Sequence, residues 1–195
     1  QITTPQYNTQ KVSAAEAPKT WDDLLDPKWK GQTGMSTALR VFTVLATAEG
    51  GWGLDKTEGF IRKLKTQEII WQRGLTAGQA LMISGEFKIL VDGQMHHVIR
   101  AHDKGAPVGW VRVNPMTVTG ASFILPKKAP HPNVARLFLE WQLSPQGLVA
   151  YEKYTYFGAV YPGAQTRVGK FVEGLNFVYR TEEVIQKIIE LDLEK

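Results

Sequence analysis

The chain has 195 residues, 43% apolar and 22% charged, with a net charge of +4; this is an ordinary globular balance, enough to bury a sizeable core in one large or two small domains. Its charges alternate in sign and contain no basic run of roughly five or six residues, so composition makes no case for nucleic acid. The absence of cysteine excludes disulfides and thiolate metal sites, and no apolar run approaches the about 20 residues of a membrane-spanning helix.

The opening residues, 1–7, are polar, lack the basic and apolar regions of a signal peptide, and start without Met, as expected of a mature or truncated chain. Residues 1–12 read as extended. Thr20, three residues before Asp23, caps a short helix with Trp21, Leu24 and Leu25 on its apolar side. Pro27 ends it by disfavouring helical geometry at Asp26. Lys30-Gly31 then turns the chain into a short strand at 33–35. Ser36 and Thr37 stand where they can cap a helix whose apolar positions (Leu39, Phe42, Val44, Leu45, Ala46, Ala48) cover much of its circumference, the pattern of a buried helix. Gly50, Gly51 and Gly53 stop it. Asp55 and Glu58 open a second helix with Phe60, Ile61 and Leu64 at helical spacing, and 69–71 follows as a strand.

Thr76-Ala77-Gly78-Gln79 has the T-x-x-Q form of a capping box directly before Ala80, Leu81, Met82 and Ile83, and Gly85 ends that helix. A strand at 88–91, a helix at 96–103 stopped by Gly105, a strand at 108–113 and an extended stretch at 116–125 follow. Pro132 starts a helix carrying Val134, Leu137, Phe138 and Trp141, and Ser144-Pro145 caps another through Tyr151. Residues 152–166 read as a loop rich in Tyr, Gly and Pro. Thr181 opens a final amphipathic helix with Val184, Ile185, Ile188, Ile189 and Leu191. Strands alternating with helices predict an α/β fold.

Several segments resemble type 2 periplasmic binding proteins. Tyr7-Asn8-Thr9 resembles a strand that crosses between the lobes of that family. The run from Ala17 through Thr20-Trp21, Leu24-Leu25 and Pro27 to Lys30-Gly31 resembles its P-x-[ST]-W-x-D-L-x-x-P-x-[WY]-K-G segment. Ala129-Pro130-His131-Pro132-Asn133 and Leu143-Ser144-Pro145-Gln146-Gly147 resemble two further segments, in the family's order. Most of these motifs are structural: Trp21, Trp29 and Trp141 are expected to pack in a core or between lobes, and His131 to fix a corner.

The resemblance implies a mixed sheet flanked by helices. Residues 13–115 would form lobe two, and 1–12 with 116–195 the crossing strands and the C-terminal part of lobe one, whose N-terminal part is absent. It also implies the substrate-binding component of an ABC importer, periplasmic or extracellular, which closes a cleft around a small polar or anionic solute and delivers it to a permease. An iron-type metal-binding protein and a ligand-sensing module are the alternatives. Leu137, Phe138, Trp141 and Ile185 would then need cover from a second copy of the chain or from an absent segment.

Solute in such folds sits at strand C-termini and helix N-termini, where unpaired N–H groups attract anions. Three places qualify: Ser36, Thr37 and Ala38; Thr76, Ala77 and Gly78; and the stretch from Asp92 to His97, with Gln94, His96 and His97 as ligand-binding candidates. Arg40 and Arg100 lie within about a turn of two of them and offer charge-assisted bonds. His96-His97 stands where ferric relatives carry Tyr-Tyr. Imidazole suits divalent ions better than ferric iron, and His96, His97 and His102 do not share a helix face, so the site is expected to be metal-free, with His96 and His97 the only metal candidates. No nucleophile elbow, H-E-x-x-H or phosphate-loop motif is present, so neither an enzyme, a cofactor nor membrane insertion is expected.

Overall fold

The computed structural model describes residues 1–120, 123–160 and 163–191. They divide into two compact units, Gln1–Gly120 with Leu175–Lys195, and Ala121–Gly174. The first unit carries two sheets. The larger contains β2 (Gln6–Asn8), β3 (Thr33–Ser36), β4 (Ile70–Gln72), β5 (Ile89–Leu90) and β6 (Val108–Trp110), in the order β4-β3-β5-β2-β6. It is mixed: β3 runs parallel to β4 and β5, whereas β2 runs antiparallel to β5 and β6. The smaller has the order β1-β7-β8, from β1 (Ile2–Thr3), β7 (Met116–Thr119) and β8 (Phe177–Arg180). Ile2 pairs with Val118 antiparallel, and β7 runs parallel to β8. The expected mixed sheet flanked by helices is present.

Parallel strands need crossover helices, and the sequence supplies them. α1 (Arg40–Thr47) and α2 (Leu54–Lys65) connect β3 to β4, α3 (Leu75–Ser84) connects β4 to β5, and α4 (Met95–Asp103) connects β5 to β6. α8 (Glu182–Glu190) follows β8. α1 is buried from Val41 to Thr47, as its all-round apolar pattern predicts. Burying a side chain such as Phe42 or Leu45 stabilises the fold by about 1.5–3 kcal/mol. Phe42, Trp21, Trp52 and Phe60 form one aromatic cluster, with ring centroids 5.1–6.4 Å apart. Met82, Phe87, Leu90, Val98 and Val108 form a second cluster against the larger sheet. Gly34 is needed there, because a Cβ would lie 2.3 Å from the Phe87 ring.

Local readings diverge where a long-range partner competes. The helix expected after Thr20 is a single 3-10 turn (Asp22–Leu25), although Thr20 and Asp23 exchange reciprocal hydrogen bonds of 3.0 and 3.2 Å. Ser36 and Thr37 do not cap α1. That helix starts three residues later, behind Leu39 in a left-handed conformation (φ 49°), and the Ser36 hydroxyl donates to Asp92. Thr76 does not cap α3, which begins one residue earlier with Gly74 as its N-cap. Gln79 leaves the capping-box geometry because its amide donates to Gln6 Oε1 on β2, at 2.9 Å. Gly85 does end α3, at φ 93°, a conformation that favours glycine. Of the extended stretch expected at 116–125, residues 116–119 form β7, and positions 121 and 122 lie outside the described residues. β8 was not anticipated.

In the second unit, α5 (Pro132–Leu143), α6 (Pro145–Thr155) and α7 (Arg167–Phe171) follow one another. The Ser144 hydroxyl accepts from Gly147 N at 3.1 Å and donates to the Trp141 carbonyl, turning α5 into α6. A Cβ at Gly147 would sit 1.9 Å from the Trp141 carbonyl oxygen, which is why this turn requires glycine. α6 continues through Thr155, beyond the predicted Tyr151, and positions 161 and 162 of the expected loop lie outside the described residues. Buried Glu152 accepts from the amides of Arg167 and Val168 and so closes the start of α7, which the sequence did not reveal. Trp21 and Trp29 are buried as expected, but Trp141 is 48% exposed beside Val134, Leu137 and Phe138, and so lies in no core.

Candidate functional site

β3, β4 and β5 are parallel, so their C-terminal ends share one edge of the larger sheet, and each leads into the start of a helix: α1, α3 or α4. None of these three helices receives a side-chain cap; their N-cap residues are Leu39, Gly74 and Gln94. Of the other helices, α6, α7 and α8 are capped, Ser144, Thr166 and Thr181 each accepting a backbone N–H at their starts, whereas α2 and α5 are not. An uncapped first turn leaves N–H donors and the positive end of the helix dipole for another acceptor. The three uncapped turns meet at a cavity of about 430 Å³.

The cavity brings together Ser36, Thr37, Ala38, Thr76, Gln94 and His97 of the sequence-predicted set. Ala77, Gly78 and His96 do not line it. Gly78 instead faces the sheet, where a Cβ would lie 3.1 Å from Leu90 Cδ1. His96 is one residue before His97 on α4, which turns it about 100° away on a helix of 3.6 residues per turn. Arg40 lines the cavity, whereas Arg100 is exposed and does not.

Sequence reasoning missed Arg73 and, on the smaller sheet, Thr3, Thr117, Thr119 and Arg180. Thr117 and Thr119 share one face of β7 by strand alternation, a signal the sequence carries. Arg180 reaches the cavity because β8 pairs it with Thr119, and that pairing leaves no local mark in the sequence.

Asp92 follows β5 and is buried. Its carboxylate accepts from Ser36 N at 3.1 and 3.2 Å and from the Ser36 hydroxyl. Burial pushes its pKa up, and the Ser36 hydrogen bonds partly oppose that shift. The rings of His96 and His97 stand 4.2 Å apart. Burial, then the neighbouring His97 and Arg100, hold His96 down to about 3. Burial and then Arg100 lower His97 as well. Both imidazoles are neutral at pH 7, so His97 offers the cavity one donor and one acceptor but no charge. Among the described residues no group of three or more His, Cys, Asp or Glu is placed to hold a metal ion. The arrangement can hold an acceptor-rich solute by backbone N–H groups, hydroxyls and guanidinium groups.

Residues 1–173 match the family of bacterial extracellular solute-binding proteins. An uncharacterized protein of Haemophilus influenzae (strain ATCC 51907 / DSM 11121 / KW20 / Rd) is 29% identical over 143 residues, 70% of this chain and 40% of that protein. The substrate-binding protein of an ABC transporter from Agrobacterium tumefaciens is similar in structure, with a TM-score of 0.68 at 15% identity over 97% of this chain and 63% of that one. A structure described as the Atu4243-GABA receptor gives a TM-score of 0.68 at 21% identity, with the same coverage of 97% and 63%. At such identities these two structures show the fold alone. The chain spans less than two thirds of the length of all three.

Proposed function

The chain belongs to the bacterial extracellular solute-binding proteins, and from that premise we propose that it captures a small polar or anionic solute outside the cytoplasmic membrane and delivers it to an ABC permease. The observation that carries this reading is the meeting of three uncapped helix N-termini at one cavity. In this reading residues 13–115, whose sheet includes β2, form one wall of the cleft. The smaller sheet, with Thr3 and Thr117, forms the other, as part of a second lobe. Capture needs no covalent step: closing the two walls surrounds the solute with donors and excludes water. No helix among the described residues is long and apolar enough to cross a membrane. The exposed apolar face of α5 is where we place a second copy of the chain or further polypeptide.

Calorimetry with a panel of carboxylates, phosphonates, polyamines and metal ions tests the reading. One solute is expected to bind, and Thr37→Ala or Thr76→Ala to weaken it by more than ~1 kcal/mol, the scale of one net hydrogen bond. Chemical turnover of the bound solute, or binding indifferent to both substitutions, would sink the proposal.

A further inference from the structure

We propose that this cavity reads a doubly charged oxyanion headgroup, of phosphomonoester or phosphonate chemistry, through Arg40 and Arg73 acting as a pair across the ends of β3 and β4; the inference rests on the solute-binding reading above. Ser36 pairs in register with Gln72, and Thr37 N donates to Gln72 O at 3.0 Å, so the two chains leave the sheet side by side. Arg73 is the next residue on one chain. Arg40 opens α1 on the other. Both line the cavity, and each sits beside an uncapped helix start, at α3 and α1 respectively. Among the described residues neither has an ion-pair partner.

The charge inventory decides the class. Among the described residues, Arg40, Arg73 and Arg180 line the cavity, against one carboxylate, Asp92. Asp92 is buried and both its oxygens already accept from Ser36, so it offers an incoming ammonium group little acceptor surface. The described lining contains no Phe, Tyr or Trp, so no aromatic cage offers a cation an alternative. Polyamines and zwitterions are therefore disfavoured. A carboxylate has two oxygens, which one guanidinium satisfies in a fork. A phosphoryl dianion has three free oxygens, enough for both guanidinium groups and for the N–H donors of α1 and α3. The hydroxyls of Thr3 and Thr117, with Gln94, leave the rest of the cavity suited to a short polar body.

The test is calorimetry on the purified chain with glycerol 3-phosphate, inorganic phosphate, glycerate, glycerol, 4-aminobutyrate and putrescine. Glycerol 3-phosphate is expected to bind about tenfold or more tightly than glycerate, and Arg40→Gln and Arg73→Gln each to cost about tenfold for the ester. Both arginines are exposed, so circular dichroism and melting should be unchanged, and Arg100→Gln serves as the charge control that leaves binding unaltered. Tighter binding of glycerate, 4-aminobutyrate or putrescine would overturn the headgroup assignment and leave solute binding standing. So would ester binding unaffected by Arg73→Gln. A folded chain that binds nothing in this panel or in the wider one above would overturn both.

Discussion

Asp92 and His96 are four residues apart, and burial acts on them with opposite consequences for stability. Native Asp92 keeps its proton to higher pH than its ordinary 3.8. The native state therefore binds more protons than the unfolded chain, and this contribution to stability is lost as pH rises through that window. His96 titrates at about 3 instead of 6.5. Here the unfolded chain binds the extra proton, so stability is full above 6.5 and declines as pH falls towards 3. Urea unfolding at about pH 4 and pH 7 separates the two groups. Asp92→Asn is expected to gain on the natural chain as pH rises, because its amide keeps an acceptor for Ser36 N while the buried charge is gone. His96→Gln is expected to lose less stability on acidification than the natural chain. Parallel pH profiles for all three proteins would show that neither group is coupled to folding. The sequence pointed to Ser36 and to the 92–97 stretch separately. It could not reveal that Ser36 spends its hydroxyl on Asp92, since 56 residues separate them.

Among the elements, the three helices that open on the cavity lack the side-chain caps that α6, α7 and α8 possess, a lack they share with α2 and α5. Gly74 makes this testable. Its φ of −167° is extended backbone open to any residue, and a Cβ there meets nothing within 4 Å. Gly74→Asp should supply the missing cap and raise stability by a few tenths to about 1 kcal/mol. The same carboxylate would stand where the proposed anionic solute would bind, so affinity should fall about fivefold or more, the effect of about 1 kcal/mol between like charges. Thermal melting and calorimetry on one preparation read both effects. A stabilised variant with undiminished anion affinity would place the solute away from α3. Periodicity made most helices and the larger sheet legible, because burial on one face leaves its mark every three or four residues. Capping signals were less dependable: T-x-x-Q at 76–79 has the right letters, yet Gln6 on a distant strand takes the glutamine. β8 is four residues long and pairs with a strand far away in sequence, so no local pattern announced it.

At the scale of the molecule, α5 leaves a continuous apolar stripe in solvent. Val134 and Leu137 are each 67% exposed, Phe138 53% and Trp141 48%, while Ile185 on α8 is half-buried. Patches of this kind attract other apolar surface. Light scattering is expected to show mass rising with protein concentration, with bound anilinonaphthalene sulfonate fluorescing, and Leu137→Lys should reduce both. A constant monomer mass at every concentration, with no dye bound, would show that the stripe is inert. The motifs that carried the family resemblance were legible because they are packing requirements. Gly147 is excluded from every other identity by a carbonyl oxygen, and Trp21 and Trp29 by the space they fill. The cavity was only half legible, because its second wall comes from strands that meet after the chain has folded.

The passage between the two sheets is double. Thr4-Pro5 joins β1 to β2, and residues 111–115 join β6 to β7. The two connectors are stitched together: Val111 N donates to the Pro5 carbonyl at 2.8 Å, and the Thr4 hydroxyl donates to the Val111 carbonyl. A single ribbon bends and twists with equal ease. Two ribbons laced side by side resist twisting, because rotation about their length would shear the lacing, and bend readily only about the line that crosses both. In the cleft-closing reading proposed above, the pair would act as a flexure with one soft direction: the walls it joins would open and shut like a book without swivelling past each other, and the groups that meet across the fold would return to the same register each time it closed.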